Sequence, residues 1–113
     1  MHEVGIMERT LEIAIDRARE RGASQIHALK MRVGVLSGVV PDALSFAFDV
    51  AAQGTIAENA RFEIESVPAR CLCDRCGQEF EPVDIIFECP NCHQISANVA
   101  SGKELELTSM EVA

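Results

Sequence analysis

The chain has 113 residues, of which 48% are apolar and 25% are charged, and its formal net charge is −8. This length allows one domain with a small appendage but not two full hydrophobic cores. No apolar run approaches the roughly 20 residues that a membrane-spanning helix needs. The acidic balance argues against a nucleic-acid partner, because binding to a phosphate backbone depends on clustered Lys and Arg. The composition therefore predicts a soluble globular protein.

The first nine residues carry acidic side chains where a secretory signal would be basic, and they contain no continuous apolar stretch. We therefore expect the protein to stay in the cytoplasm. Disulfides are uncommon in that reducing compartment. The spacing of the five cysteines should then be interpreted first as a metal site.

Two helices are predicted in the first half of the chain. The first begins near residue 3, because apolar residues recur every three or four positions, and Gly22 ends it with a left-handed cap. The second begins at Pro41, which suits the first turn of a helix, and ends before Gly54. The apolar stripes are Val4, Met7, Leu11, Ala14, Ile15 and Ala18 in the first helix, and Leu44, Ala47, Phe48 and Ala51 in the second.

Three strands are predicted from the alternation of apolar and polar residues. The first covers residues 29–35. His27 lies near its start, and the alternation places it on the same face as the buried residues. The second covers residues 62–65 and is ended by Pro68. The third covers residues 104–112, where a change of parity suggests a bulge. The second and third strands flank the cysteine region, which we expect to be an insertion between neighbouring strands.

Four cysteines form two Cys-x-x-Cys pairs, Cys73 with Cys76 and Cys89 with Cys92. A two-residue gap lets both sulfurs of a pair bind one ion, and two pairs supply the four thiolates of a closed tetrahedral zinc site. The same ligands suit a rubredoxin-like iron centre, and one pair alone would serve as a redox dithiol, but ligand chemistry favours zinc. Cys71 lies outside both pairs and is interpreted as a spare thiol.

The residue that follows each pair, Gly77 or His93, is expected to adopt a positive φ, which glycine accepts freely and histidine less well. The segment 71–100 has few large apolar side chains. We therefore expect the bound metal to hold this segment in its fold.

The amino terminus is a second candidate metal site. The α-amine of Met1, the amide nitrogen of His2 and its imidazole can chelate one ion, and Glu3 can add its amide or its carboxylate. Such nitrogen-rich planar coordination is preferred by nickel(II) and copper(II) rather than by zinc. Without this chelate geometry, His2 would be an ordinary exposed residue.

The motifs that carry a family resemblance are Met1-His2-Glu3, Leu36-Ser37-Gly38-Val39-Val40-Pro41, Phe46-Ala47-Phe48, the paired cysteines and Gly102-Lys103-Glu104-Leu105. Together they span the chain and resemble the HypA/HybF family of hydrogenase nickel-incorporation proteins. The fold expected is α+β. Its small nickel-binding domain, residues 1–70 and 101–113, packs two helices on a three-stranded sheet, and a four-cysteine zinc-ribbon-like domain, residues 71–100, is inserted into it.

The resemblance implies a non-enzymatic role as a nickel metallochaperone. Nickel is bound at His2 with the help of Met1 and Glu3, and it is passed with the GTPase HypB toward the large subunit of a nickel-iron hydrogenase. The structural zinc ligands implied are Cys73, Cys76, Cys89 and Cys92. Neither nucleic acid nor a membrane is expected as a partner, and a homodimer is left open. A phosphate-binding glycine loop is missing from the sequence, so GTP hydrolysis belongs to the partner.

Three other functions fit parts of the sequence. A zinc-ribbon adaptor would bind no nickel through His2, a rubredoxin-like electron carrier would be red, and a zinc-ribbon nucleic-acid binder is disfavoured by the acidic charge. Glu8, Glu12 and Asp16 share a helical face, which we interpret as solvated surface and as the contact for HypB rather than as acid–base machinery. His93 could approach the amino terminus if the zinc lobe folded back over the nickel domain.

Overall fold

The computed structural model describes residues 2–83 and 86–113. It contains two helices, α1 (Glu3–Glu20) and α2 (Pro41–Ala51), and six strands. The strands are β1 (Ile26–Gly34), β2 (Arg61–Val67), β3 (Arg70–Leu72), β4 (Glu79–Phe80), β5 (Val99–Ser101) and β6 (Leu105–Val112). The predicted α+β class is confirmed. Within the described ranges, neither helix has the length and apolar character that crossing a membrane requires.

Helix α1 begins at Glu3, as its apolar pattern predicts, and ends in a Schellman motif. The N–H groups of Ala23 and Gly22 donate to the carbonyls of Ala18 and Arg19, and Gly22 has φ 75°. Glycine suits this position because a left-handed backbone crowds a Cβ atom. The buried side of the helix consists of Met7, Leu11, Ala14 and Ala18.

Helix α2 begins with Pro41 in its first turn and ends ahead of Gly54, as predicted. Its buried side chains are Leu44, Ala47 and Phe48. The Phe48 ring stacks on the ring of Phe62 in β2, with ring centroids 4.8 Å apart and planes 11° apart. Offset aromatic stacking of this kind adds to the apolar burial that holds the helix on the sheet.

A three-stranded sheet has the order β2-β1-β6, so β1 is its central strand. Alternate residues of β1, among them Leu29, Met31 and Val33, are buried. Lys30 and Arg32 lie between them and form ion pairs with Glu65 and Glu106 on the two neighbouring strands. One face of the sheet is therefore apolar and the other is charged, which is the arrangement that the alternation predicts.

Four details of the first elements differ from the sequence pattern. Strand β1 starts three residues earlier than predicted, and His27 is exposed although its parity matches that of the buried Leu29. The parity changes because Ala28 and Leu29 are both buried. Val35 lies beyond the strand and is 59% exposed, and Val4 is 60% exposed at the start of α1. Periodicity therefore locates the core of each element better than its ends.

The expectation that the cysteine region is inserted between neighbouring strands is wrong. β2 and β6, which flank this region in the chain, pair with opposite edges of β1 and not with each other. The alternation of apolar residues shows which face of a strand is buried but carries no information on which strands pair.

The chain divides into two compact units. The first unit comprises Met1–Arg32, Val39–Glu65 and Glu106–Ala113. The second comprises Val33–Gly38 and Ser66–Leu105 and contains a smaller sheet of order β4-β3-β5. The metal-dependent domain expected at residues 71–100 remains a prediction about which part of the chain a bound ion holds in its fold.

Within the second unit, the end of β1 passes close to the segment that precedes β6. The N–H of Gly34 donates to the Glu104 carbonyl at 2.7 Å, and the N–H of Leu36 donates to the Gly102 carbonyl at 2.6 Å. A Cβ atom on Gly34 would lie 2.0 Å from the carbonyl oxygen of Gly102, and Gly102 itself has φ 117°. Both positions therefore require glycine.

Candidate metal centres

Two tight turns hold the four paired cysteines, and their backbone hydrogen bonds match. In each turn the N–H of the first cysteine donates to the carbonyl five residues later, and the residue after the second cysteine donates back to the first. The distances are 2.9 Å for Cys73 to Gln78 and 2.8 Å for Gly77 to Cys73 in one turn, and 2.9 Å for Cys89 to Gln94 and 2.8 Å for His93 to Cys89 in the other. The two pairs are thus presented by the same backbone geometry.

The residue that follows each cysteine pair has a left-handed backbone conformation. Gly77 has φ 72° and His93 has φ 64°, as the sequence predicts. His93 is exposed, and its Nδ1 lies 2.8 Å from a carboxylate oxygen of Glu88. The histidine side chain is therefore engaged within its own turn.

The structure brings together the sulfurs of Cys73, Cys76, Cys89 and Cys92, which all lie within 4.8 Å of one another. The Sγ atoms of Cys73 and Cys92 are 3.5 Å apart. Four sulfurs bound tetrahedrally at about 2.3 Å from one zinc ion would be separated by roughly 3.8 Å. The cluster therefore fits a single tetrahedral ion with four protein ligands and no open position.

Hydrogen bonds and neighbouring sulfurs shift the pKa values of Cys89 and Cys92 in opposite directions. The backbone N–H of Cys92 donates to the Cys89 sulfur and lowers the pKa of that thiol to about 7. At Cys92 the N–H of Gln94 acts to lower the pKa, but the sulfur of Cys76, burial and the other two sulfurs outweigh it and raise the pKa to about 12. Four thiolates this close repel one another, so full ionisation of the cluster needs a cation at its centre.

Several polar groups that support the cluster were not singled out from the sequence. Asn91 Nδ2 donates to the Cys76 sulfur at 3.4 Å. Ser96 is buried, and its hydroxyl donates to the carbonyl of Leu72 at 2.6 Å and accepts the N–H of Asn98 at 3.3 Å. Of these groups, Asn91 could have been predicted from the sequence, because it lies between two paired cysteines and an amide side chain can donate to a thiolate.

Cys71 lies outside the four-sulfur cluster. It is fully buried in β3 and packs with Cys73, Phe80 and Cys89. Burial raises the pKa of its thiol, and the charge of Lys103 opposes that shift only in part. A buried neutral thiol behaves as a small apolar side chain, so Cys71 contributes packing to this unit.

At the amino terminus, Met1 lies outside the described residues. His2 is exposed and immediately precedes α1, with φ 141° and ψ 38°. Among the described residues its imidazole makes no hydrogen bond, and its carbonyl accepts the N–H of Ile6 at 3.0 Å. The His2 ring is therefore exposed at the start of α1 and makes no hydrogen bond to the described residues.

The Glu3 carboxylate is occupied by a contact with α2. Its Oε2 accepts the N–H of Val40, the residue that precedes α2, at 3.0 Å. This N–H, followed by the N–H of Glu3 itself, lowers the pKa of the carboxyl. The first residue of α1 is therefore tied to the start of α2.

The acidic residues Glu8, Glu12 and Asp16 are all exposed on α1. The described residues contain one group of metal-ligating side chains close enough to share an ion, which is the cysteine cluster. The carboxylates of α1 therefore form a solvated surface, as the helical spacing predicts.

Comparison with known proteins extends over the whole chain. Residues 1–112 match the family model described as hydrogenase/urease nickel incorporation, metallochaperone, hypA. Two relatives named hydrogenase maturation factor HypA, from Picosynechococcus sp. and Roseiflexus sp., are 51% and 41% identical over 112 residues. These alignments cover 99% and 98% of this chain, and 99% and 91% of the relatives.

Two solved structures share the fold. The solution structure of the nickel metallochaperone HypA from Helicobacter pylori has a TM-score of 0.70 at 21% identity and covers 99% of this chain and 97% of its own. A second structure, titled solution structure of HypA protein, has a TM-score of 0.72 at 23% identity, with coverage of 100% and 97%. The predicted family is confirmed by the whole-chain sequence matches: the chain belongs to the HypA family of nickel-incorporation metallochaperones, which are maturation factors and not enzymes.

Proposed function

We propose that this protein binds nickel(II) at its amino terminus and delivers it, with the GTPase HypB, to the large subunit of a nickel-iron hydrogenase in the cytoplasm. The nickel ligands are the α-amine of Met1, the amide and imidazole of His2, and Glu3. The four clustered cysteines hold a structural zinc ion. The observation that carries this proposal is the match of residues 1–112 to a nickel-incorporation family.

The start of α1 supports the nickel site. The His2 imidazole is exposed and free of hydrogen bonds within the described residues. Glu3 is the first helical residue, and the N–H groups of a first helical turn have no carbonyl partner within the helix. Deprotonation of such an amide breaks no helical hydrogen bond, and the helix macrodipole stabilises the resulting negative charge. The Glu3 carboxylate accepts the N–H groups of Val40 and of Glu3 itself, so binding nickel through either the carboxylate or the amide of Glu3 would replace one of these contacts.

The closed coordination geometry supports a structural role for the second metal. Four protein sulfurs fill a tetrahedral shell, whereas a catalytic zinc keeps one position open for water or substrate. Iron accepts the same four ligands. Metal analysis of purified protein distinguishes the two ions, and a colourless preparation with one zinc per chain would support the proposal, while a red preparation would contradict it.

Calorimetric nickel titration of untagged protein tests the amino-terminal site. We expect His2→Ala and a one-residue extension before Met1 each to abolish high-affinity binding, because the first removes the imidazole and the second converts the α-amine into a mid-chain amide. His27→Ala is the matched control, since His27 is also exposed and lies in the same unit. Zinc content should stay constant in all variants, because the two sites share no ligand.

Each result assigns a ligand. Full nickel affinity in the extended protein would exclude the Met1 amine, and full affinity in His2→Ala would remove the proposed site. An equal loss in His27→Ala would point to a site elsewhere. A zinc-ribbon adaptor without a nickel role would show no His2-dependent binding at all.

A further inference from the structure

A groove in the first unit lies between the second half of α1 and strand β6. Its volume is about 310 Å³, and it is lined by Arg17 and Arg21 from the helix side and by residues 107–110 and Val112 of the strand. Successive residues of a strand point to opposite faces of the sheet. Because the groove touches four consecutive residues, it is not confined to the side chains of one face of β6.

Among residues 2–83 and 86–113, β6 pairs with β1 alone and is therefore an edge strand of the three-stranded sheet. It is eight residues long and contains no proline. Its end is fixed, because the backbone of Ala113 exchanges hydrogen bonds with residues 24 and 25. The outer edge of such a strand presents unpaired N–H and C=O groups that can receive a further strand.

Arg17 and Arg21 lie one helical turn apart and are both exposed. Within the described part of the chain, neither guanidinium has an ion-pair partner. Like charges at this spacing repel each other, and the negative end of the α1 dipole offsets that repulsion only in part. Carboxylates placed in the groove would neutralise both guanidinium groups through bidentate hydrogen bonds.

The geometry points to β6 as a docking edge for an extended acidic segment of a partner protein, which adds as a fourth strand and places carboxylates against Arg17 and Arg21. A second copy offering its own β6 is a poorer occupant, because the two carboxylates of that strand, Glu106 and Glu111, already form ion pairs with Arg32 and Arg61. The net charge of −8 repels an acidic segment at long range, so its binding depends on the local pair Arg17 and Arg21. The groove lies about 20 Å along the helix from the proposed nickel terminus, which stays accessible while the edge is occupied.

The test uses full-length protein and a fluorescent eight-residue peptide in which threonine alternates with glutamate. We expect this peptide to bind and the analogous threonine–lysine peptide not to bind. Arg17→Glu combined with Arg21→Glu should weaken binding by at least roughly tenfold, because it replaces two attractive contacts with repulsive ones. Arg19→Glu is the matched control, since Arg19 is an exposed arginine of the same helix outside the groove.

A second peptide tests the strand addition separately from the charges. Methylation of alternate peptide nitrogens leaves the carboxylates in place but removes backbone donors, and it should abolish binding. Amide NMR shifts on peptide addition should concentrate in residues 107–112. Far-ultraviolet spectra confirm that each variant is folded, and Arg17→Gln with Arg21→Gln should give a smaller loss than charge reversal.

The proposal is overturned if the glutamate peptide fails to bind, if Arg19→Glu weakens binding as much as the double variant, or if the methylated peptide binds equally well. It is also overturned if the protein sediments as a dimer whose β6 amides are protected from exchange, because a second copy would then occupy the edge. None of these measurements depends on nickel.

Discussion

Glu3 could assist nickel binding either as a ligand or by holding the start of α1 against Val40, and two variants distinguish these roles. If its carboxylate only ties α1 to Val40, Glu3→Ala should reduce nickel affinity on the order of fivefold, the size of one lost hydrogen bond, because the terminus becomes less ordered. Glu3→Gln keeps an oxygen that accepts the Val40 N–H and should retain nearly full affinity. Calorimetry distinguishes the alternatives, since equal losses in both variants would make the carboxylate a nickel ligand.

Gly34 is the residue at which one added methyl group has the largest predictable effect. Gly34→Ala should lower the free energy of unfolding by about 1–3 kcal/mol or more, because its Cβ would meet the Gly102 carbonyl and force the backbone apart. Thermal unfolding followed by circular dichroism measures this effect. Gly5→Ala is the control: apart from its own helix, no described atom lies within 4 Å of the added Cβ, and alanine in a helix should be neutral or stabilising. An unchanged midpoint in Gly34→Ala would contradict the close approach.

Among the elements, we expect the cysteine turns to depend most on a bound metal ion. Cys73→Ser or Cys89→Ser should release the ion and disorder much of residues 71–100, because the sheet β4-β3-β5 encloses little apolar volume without it. The helices and the three-stranded sheet should survive, since lengthening a flexible connection between strands costs little additional entropy. Amide exchange measures protection in both parts. Cys71→Ser should keep its metal, and retained protection of the 71–100 region in metal-free Cys73→Ser would refute the prediction.

The same cluster should bind its ion more weakly as the pH falls. The pKa of Cys92 is raised to about 12 and that of Cys89 is lowered to about 7. At neutral pH, an ion that binds must therefore displace the proton of Cys92 in every molecule and the proton of Cys89 in the fraction of molecules that still carry it. Binding therefore releases protons, and the apparent affinity rises with pH. Competition with a chromogenic chelator between about pH 6 and pH 8 measures this dependence. A flat profile would show that the thiols are already ionised before binding.

The elements differ in how far the sequence determined them. The Schellman cap at Gly22, the proline start of α2 and the alternation in β1 follow from local backbone chemistry, and all three were predicted. The two cysteine turns were predicted for the same reason, including the positive φ at His93. The strand order β2-β1-β6 was not, because pairing is decided by contacts between distant residues.

The candidate sites show the same division. Spacing alone indicated that four cysteines could share an ion, whereas the burial of Cys71, the donation by Asn91 and the Glu3–Val40 contact depend on tertiary packing. The groove beside Arg17 and Arg21 could not be predicted from the sequence. Basic residues near the end of a helix are common because they interact favourably with the helix macrodipole, so their presence does not indicate a binding groove.

At the scale of the whole molecule, the acidic face of α1 is the proposed contact for HypB. Replacing Glu8, Glu12 and Asp16 with their amides should weaken capture of HypB in a pull-down, most strongly at low ionic strength, because exposed charges act through screened attraction. The matched control replaces three other exposed acids of the first unit, Asp42, Asp49 and Glu58, and changes the net charge equally. Equal effects in the two triple variants would show that only total charge matters.

The position of β6 has a consequence for how the chain is made. Contacts between β1 and β6 join residues separated by 74 and 78 positions, such as Arg32 with Glu106 and Thr108 with Lys30. During synthesis on a ribosome, β1 and β2 emerge long before β6, and the cysteine turns emerge in between. Until β6 emerges, one edge of the central strand β1 stays open. The three-stranded sheet can therefore close only after the four-cysteine segment has been made.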